Sequence, residues 1–129
     1  MLLNTFFNIS SVTKREEINP AGIFVTHFHL ETRLEPDHPI FKGHFPGNPV
    51  VPGVCQVQMI TETLQSVMGK DYTLKEADNI KFLSMINPVE MRSVIIDMAV
   101  KELPEKKLNV SATLSGSDQV FLKFKGIYE

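Results

Sequence analysis

The apolar residues of this chain follow two different spacings. Over residues 22–34, GIFVTHFHLETRL, β-branched and aromatic residues dominate, and such residues suit a pleated, half-buried surface. Side chains alternate across a strand, so Phe24, Thr26, Phe28 and Leu30 share one face, while Ile23, Val25, His27, His29 and Glu31 share the other. Residues 6–17 form a weaker strand pattern, ahead of the turn-like Asn19-Pro20-Ala21-Gly22. The second half predicts a meander of strands at 79–86, 93–101, 107–114 and 119–128. Turn residues break it at Asn87-Pro88, Leu103-Pro104 and Ser115-Gly116-Ser117. Links this short cannot hold a crossover helix, so the sheet is expected to be antiparallel.

Residues 54–68 follow the other period. Val57, Ile60, Leu64 and Val67 recur at three- and four-residue steps, as one face of a helix demands, and Gly69 is placed to cap its end. Val54, Cys55, Met59 and Met68 make the remaining sides apolar as well, which predicts cover on more than one side. A sheet wrapped around one long central helix, an α+β arrangement, provides that cover.

A chain of 129 residues fits one domain, expected to span 1–129, and is long enough to bury a core unaided. Thirteen Lys and Arg face 15 Asp and Glu, so the chain lacks the basic surplus that nucleic-acid binding requires. Cys55 is the only cysteine, which rules out an intrachain disulfide and fits a reducing compartment such as the cytoplasm. Residues 1–10 have neither the basic flank nor the apolar run of a signal segment, and no run approaches the roughly 18 apolar residues of a membrane span.

The segment from His38 to Val54 holds four prolines and three glycines in 17 residues, which restricts its path heavily. A loop held in this way presents something in a fixed position. His44 is its side chain best suited to proton transfer near neutral pH. Pro52-Gly53 then opens the helix, whose first N–H groups lack internal partners and lie at the positive end of the helix dipole. A restrained imidazole beside such an end can take a proton α to a thioester carbonyl while the N–H groups hold the charge developing on oxygen.

The run Gly43-His44-Phe45-Pro46-Gly47-Asn48-Pro49-Val50-Val51-Pro52-Gly53-Val54 closely resembles the GHFPGxPxxPGV signature of bacterial 3-hydroxyacyl-acyl carrier protein dehydratases. Ile80-Lys81-Phe82 and Pro88 are a second, weaker match, although Val89-Glu90 departs from the usual Gly-Asp. The resemblance implies a hot-dog fold that dimerises and takes a phosphopantetheine-borne acyl chain from acyl carrier protein into a tunnel between subunits. It implies His44 as the base on Cα and the Gly53 N–H as the donor to the thioester oxygen. Phe45, Pro46, Gly47, Pro52 and Val54 are then substrate-lining. No cofactor beyond the carrier's phosphopantetheine is implied. The implied reaction is loss of water from a 3-hydroxyacyl thioester, in fatty-acid or a specialised polyene-type lipid synthesis.

The family's acid does not carry over. Fourteen residues beyond the histidine, where the family has a helix Glu or Asp, this chain has Gln58, and an amide cannot release a proton as a carboxylic acid does. Four residues further on, where many relatives have Gln, stands Glu62. It shares the helix face of Gln58 but lies about 6 Å along the axis, so a structural role is the expectation and an acid role the alternative. A hot-dog thioesterase, or a non-catalytic acyl-binding subunit completing a mixed dimer, are the rival readings. His27 and His29 have no companions at ligand spacing, so no metal site is expected. Cys55 is read as a small buried hydrophobe, and the six Met as core or tunnel filling.

Overall fold

The long helix forms where its period predicts. The computed structural model of the chain describes residues 1–43 and 47–129. Helix α2, Gly53–Met68, follows Pro52 and ends at Gly69, whose φ of 66° lies in the left-handed region and whose N–H returns to the Gln65 carbonyl at 2.9 Å. Its deepest side chains are Met59, Ile60, Thr63 and Leu64, while Val57 and Val67 are only half-buried. The buried stripe is therefore rotated from the one the apolar spacing marks. Cys55, Gln56 and Glu62 are also buried, so the helix is covered on more than one side, as expected.

That cover is a single antiparallel sheet. Strands β1 (Phe7–Ile18), β2 (Phe24–Leu34), β3 (Leu74–Phe82), β4 (Ser93–Glu102), β5 (Leu108–Gly116) and β6 (Gln119–Tyr128) line up in the order β1-β2-β4-β5-β6-β3. Leu30, Ile96, Val110, Leu114, Leu122 and Phe124 on its inner face join Met59, Ile60 and Leu64 of α2 in one cluster. This is the hot-dog arrangement, a sheet curled round one helix. A single-turn helix, α1 (Ile40–Gly43), lies in the loop ahead of α2. On β2 the alternation holds from Phe28 onward, but Phe24 at the strand's start is 43% exposed and Val25 on the other face is buried.

The expected meander holds for β4, β5 and β6 alone. Ser117 and Asp118, both at positive φ (48° and 61°), make the β5–β6 hairpin turn, the last residue of the expected break and the one after it. The strand expected at 79–86 is instead β3, and it pairs with β6 at the sheet's edge, from Leu74 opposite Tyr128 to Phe82 opposite Leu122. Asn87-Pro88 is therefore not a hairpin turn. The Asn87 side chain accepts from the Val89 N–H at 2.9 Å, and its carbonyl accepts from Met91 N–H at 2.8 Å, in a turn that carries the chain from the edge strand back to β4 in mid-sheet.

At Gly69 an added methyl group meets nothing within 4 Å, so Gly69→Ala isolates backbone strain from packing. The left-handed conformation costs an L-residue roughly 1–2 kcal/mol, offset in part by the lower entropy of the unfolded chain. Gly69→Ala is expected to destabilise by about 1 kcal/mol, a fall in Tm of roughly 3–5 °C by thermal melting.

Candidate functional site

The start of α2 is a polar end that reaches the surface, while the middle of the helix carries its deepest side chains. The N–H groups of Cys55 and Gln56 both return to the Pro52 carbonyl, at 3.0 and 3.1 Å. Those of Gly53 and Val54, the first two of the helix, have no intrahelical acceptor by the geometry of a helix start. Pro52 is buried behind them, and Val54 projects outward, 77% exposed. A Cβ at Gly53 would come 2.8 Å from Cζ of Phe82, the last residue of β3, so a side chain there requires the exposed Phe82 ring to shift. The Phe82 ring thus lies against the first helical turn. Beside it opens a hollow of about 450 Å³ lined by Val50, Gly53, Gln56, Phe82, Leu83 and Met85, among others.

Gln58 and Glu62 lie one turn and two turns further on, and a smaller hollow of about 270 Å³ reaches both, along with Met1, Leu2, Val54 and Cys55. Glu62 is 1% exposed. The Leu2 N–H donates to both of its oxygens, at 2.9 and 3.0 Å, the Leu3 N–H to Oε1 at 2.8 Å, and the Gln58 amide Nε2 to Oε2 at 2.9 Å. Burial alone raises the pKa of such a carboxyl, but the hydrogen bonds from Leu3, Leu2 and Gln58 outweigh it and hold Glu62 below the ordinary carboxylate value. Glu62 is a bound carboxylate, fully engaged. Cys55 is buried, which pushes its thiol pKa up and keeps it protonated.

The expected site residues His44, Phe45 and Pro46 lie outside the described residues. Gly47, immediately after them, is exposed, with φ of 84°. His38, ahead of them, accepts from the Ile40 N–H at Nδ1 (3.1 Å) and meets Phe6 edge-on. On the outer face of the sheet, His27 Nε2 is 2.7 Å from Glu17 and His29 Nδ1 is 2.5 Å from Asp97. A hollow of about 580 Å³, larger than either of those beside the helix, lies on this face, between those histidines and away from the helix start.

Sequence reasoning missed two contributors. The N-terminal segment, read as a weak strand only from residue 6, supplies the Leu2 and Leu3 amides and buries Phe6 and Phe7 completely. A pair of adjacent phenylalanines was its only signal. Leu83 and Met85 line the larger hollow although nothing in their spacing marks them.

The sequence pattern of the ApeI-like family, described as ApeI dehydratase, matches residues 25–125. The chain belongs to this dehydratase family. Relatives of the chain include the 3-hydroxyacyl-acyl-carrier-protein dehydratase FabZ of Lactobacillus helveticus, 27% identical over 104 residues, which are 75% of this chain and 68% of that protein. The FabZ of a Caulobacter species is 33% identical over 97 residues, 70% of this chain. The chain spans about half, 52%, of that relative's length. Among solved structures, an uncharacterised protein of Erwinia carotovora superposes with a TM-score of 0.65 at 21% identity, covering 94% of this chain and 92% of that one. The dehydratase heterocomplex ApeI:P of Xenorhabdus doucetiae does so with 0.57 at 21% identity, covering 92% and 97%. A protein of Lactococcus lactis whose structure is described as that of a proposed thioesterase reaches 0.58 at 9% identity, over 92% and 90%, and shares the fold.

The Glu62 anchor makes stability depend on pH in a defined direction. A carboxyl whose folded pKa lies below its unfolded value adds stability that is present above the unfolded pKa and lost as pH falls through the folded one. Glu62→Gln removes that part. In urea denaturation the parent is expected to be more stable than Glu62→Gln near neutrality, and the gap to narrow below about pH 4.

Proposed function

We propose that this member of the ApeI-like family removes water from a 3-hydroxyacyl thioester carried by acyl carrier protein. The observation that carries the reading is the histidine-bearing loop signature running directly into a helix start whose first two N–H groups have no acceptor among the described residues, with the Phe82 ring against Gly53. His44 takes the Cα proton, and the Gly53 N–H holds the charge that develops on the thioester oxygen. The apolar hollow beside Phe82 and Met85 suits the arm or chain attached to that carbonyl. The departing hydroxyl needs a proton to leave as water. With an amide at Gln58 and a carboxylate held below its ordinary pKa at Glu62, His44 is the group of this chain that returns it.

Two copies are needed to close the site. The sheet's two edges differ. On β1, Lys14, Arg15, Glu16 and Glu17 are exposed and charged, a pattern that blocks edge pairing. On β3, Ile80 and Phe82 are exposed and continue into exposed Leu83 and Met85, near Val54 of α2. Pairing of β3 with a second subunit covers this strip and extends the sheet. Gln58 favours one second reading, a mixed dimer in which a related subunit brings the acid; a protein of this fold is described as a dehydratase heterocomplex.

Incubation of the purified chain with 3-hydroxyacyl carrier thioesters, scored for enoyl product and free thiol, tests the reaction. Water loss is expected, with His44→Ala lowering it roughly 10²- to 10⁴-fold. Release of free thiol instead makes the chain a thioesterase. Turnover appearing only after a related subunit is added establishes the mixed dimer. Gln58→Glu is expected to raise turnover, because a second carboxyl beside the charged Glu62 has a raised pKa and can donate its proton. Ile80→Lys is expected to convert dimer to monomer in sedimentation, and an unchanged dimer places the interface elsewhere.

A further inference from the structure

Glu62 does more than anchor the chain's first residues, because it also decides which end of the Gln58 amide faces the hollow. Gln58 Nε2 lies 2.9 Å from Glu62 Oε2. The reverse orientation would set an amide oxygen against a carboxylate oxygen, two acceptors with no proton between them, so the assignment is fixed by chemistry. The Leu2 and Leu3 N–H groups hold the carboxylate from the other side, so it cannot turn away. The amide oxygen of Gln58 therefore points away from Glu62, and among the described residues it accepts no hydrogen bond. Gln58 itself is exposed and borders the hollow that begins at Val54, beside the helix start.

We infer that Gln58, oriented by Glu62, presents a hydrogen-bond acceptor to the substrate and thereby selects thioesters with a hydroxyl at C3 over those with a carbonyl there. A 3-hydroxyl donates a proton to the Gln58 oxygen. A 3-oxo group meets it acceptor to acceptor, and an unsubstituted chain leaves it unpaired. Gln58 is the specificity-determining residue and Glu62 a positioning residue acting through it. The inference rests on the helix start being the thioester site.

The orientation can be reversed by one atom. In Glu62→Gln the side-chain oxygen remains with the Leu2 and Leu3 N–H groups, which leaves the new NH₂ facing Gln58. The Gln58 amide must then turn its oxygen inward and its NH₂ to the hollow. The test measures binding of 3-hydroxyacyl, 3-oxoacyl and unsubstituted acyl carrier thioesters of one chain length to the full chain carrying His44→Ala, which prevents turnover. The 3-hydroxyacyl form is expected to bind about tenfold more tightly than the 3-oxoacyl form. Adding Glu62→Gln should reverse or erase that preference while unsubstituted acyl binding stays level. Adding Gln58→Leu should bring the two to parity, which keeps the inference testable if Glu62→Gln does not fold. Equal binding of 3-hydroxyacyl and 3-oxoacyl forms, or a preference that survives Gln58→Leu, overturns the inference and leaves the thioester site standing. If none of the thioesters binds, the thioester site falls and the inference with it.

Discussion

The Glu62 carboxylate is buried to 1% exposure, and a charge so placed is costly unless its lone pairs are used. Much around the helix start follows from using them. Three donors meet it, the N–H groups of Leu2 and Leu3 and the amide of Gln58, and the first two pull the N-terminal segment across the helix. Once there, the segment delivers Phe6 into a stack with Phe41 at 5.2 Å, and the Phe6 carbonyl accepts from the Glu35 N–H at 2.9 Å. Phe41 belongs to α1, at the start of the loop that leads to α2. One buried charge thus ties together the chain's beginning, the loop's approach and the orientation of Gln58.

A second constraint comes from the sheet wrapping α2 incompletely. Its inner face is continuous with the helix core from β2 through β6, while β3 stays exposed along nearly its whole length. Burial of β3 against its own chain would need a covering element, and the residues that follow it run instead back toward β4. The helix start and Phe82 lie at this open side. The part of the molecule suited to a ligand is therefore also its exposed apolar part, the strip that the proposed dimer would cover, so the proposed site and the proposed assembly draw on the same residues.

How much of this is legible in the chain depends on whether a feature is carried by side chains. The helix could be read because Ile60 and Leu64 repeat at its period and Gly69 ends it, and β4, β5 and β6 because they alternate between turn residues. The stripe was misplaced because Thr63 is buried and polar, and so carries no apolar signal. β3 was misplaced for a related reason. Its residues Lys75 to Asn79 face solvent on both sides, so no alternation marks where it starts, and the apolar run after Asn79 drew the boundary toward Ile86. The N-terminal clamp was invisible because backbone amides do the work, and every residue has one.

The exchange of Gln and Glu along the helix, visible in the sequence, acquires its meaning from those amides. A carboxyl at position 58 would stand at the mouth of the smaller hollow, near solvent; at position 62 it is sealed beneath Leu2 and Leu3. The two residue types have thus changed accessibility along with their order. A carboxylate held by three donors is poor at giving or taking a proton, because protonation forfeits the hydrogen bonds that stabilise its charge. The amide beside it is well suited to reading a hydrogen-bonding group, because its polarity is set by a neighbour that cannot rotate. In the proposed reaction, proton chemistry at position 58 is replaced by recognition, which leaves the loop histidine, His44, as the proton carrier.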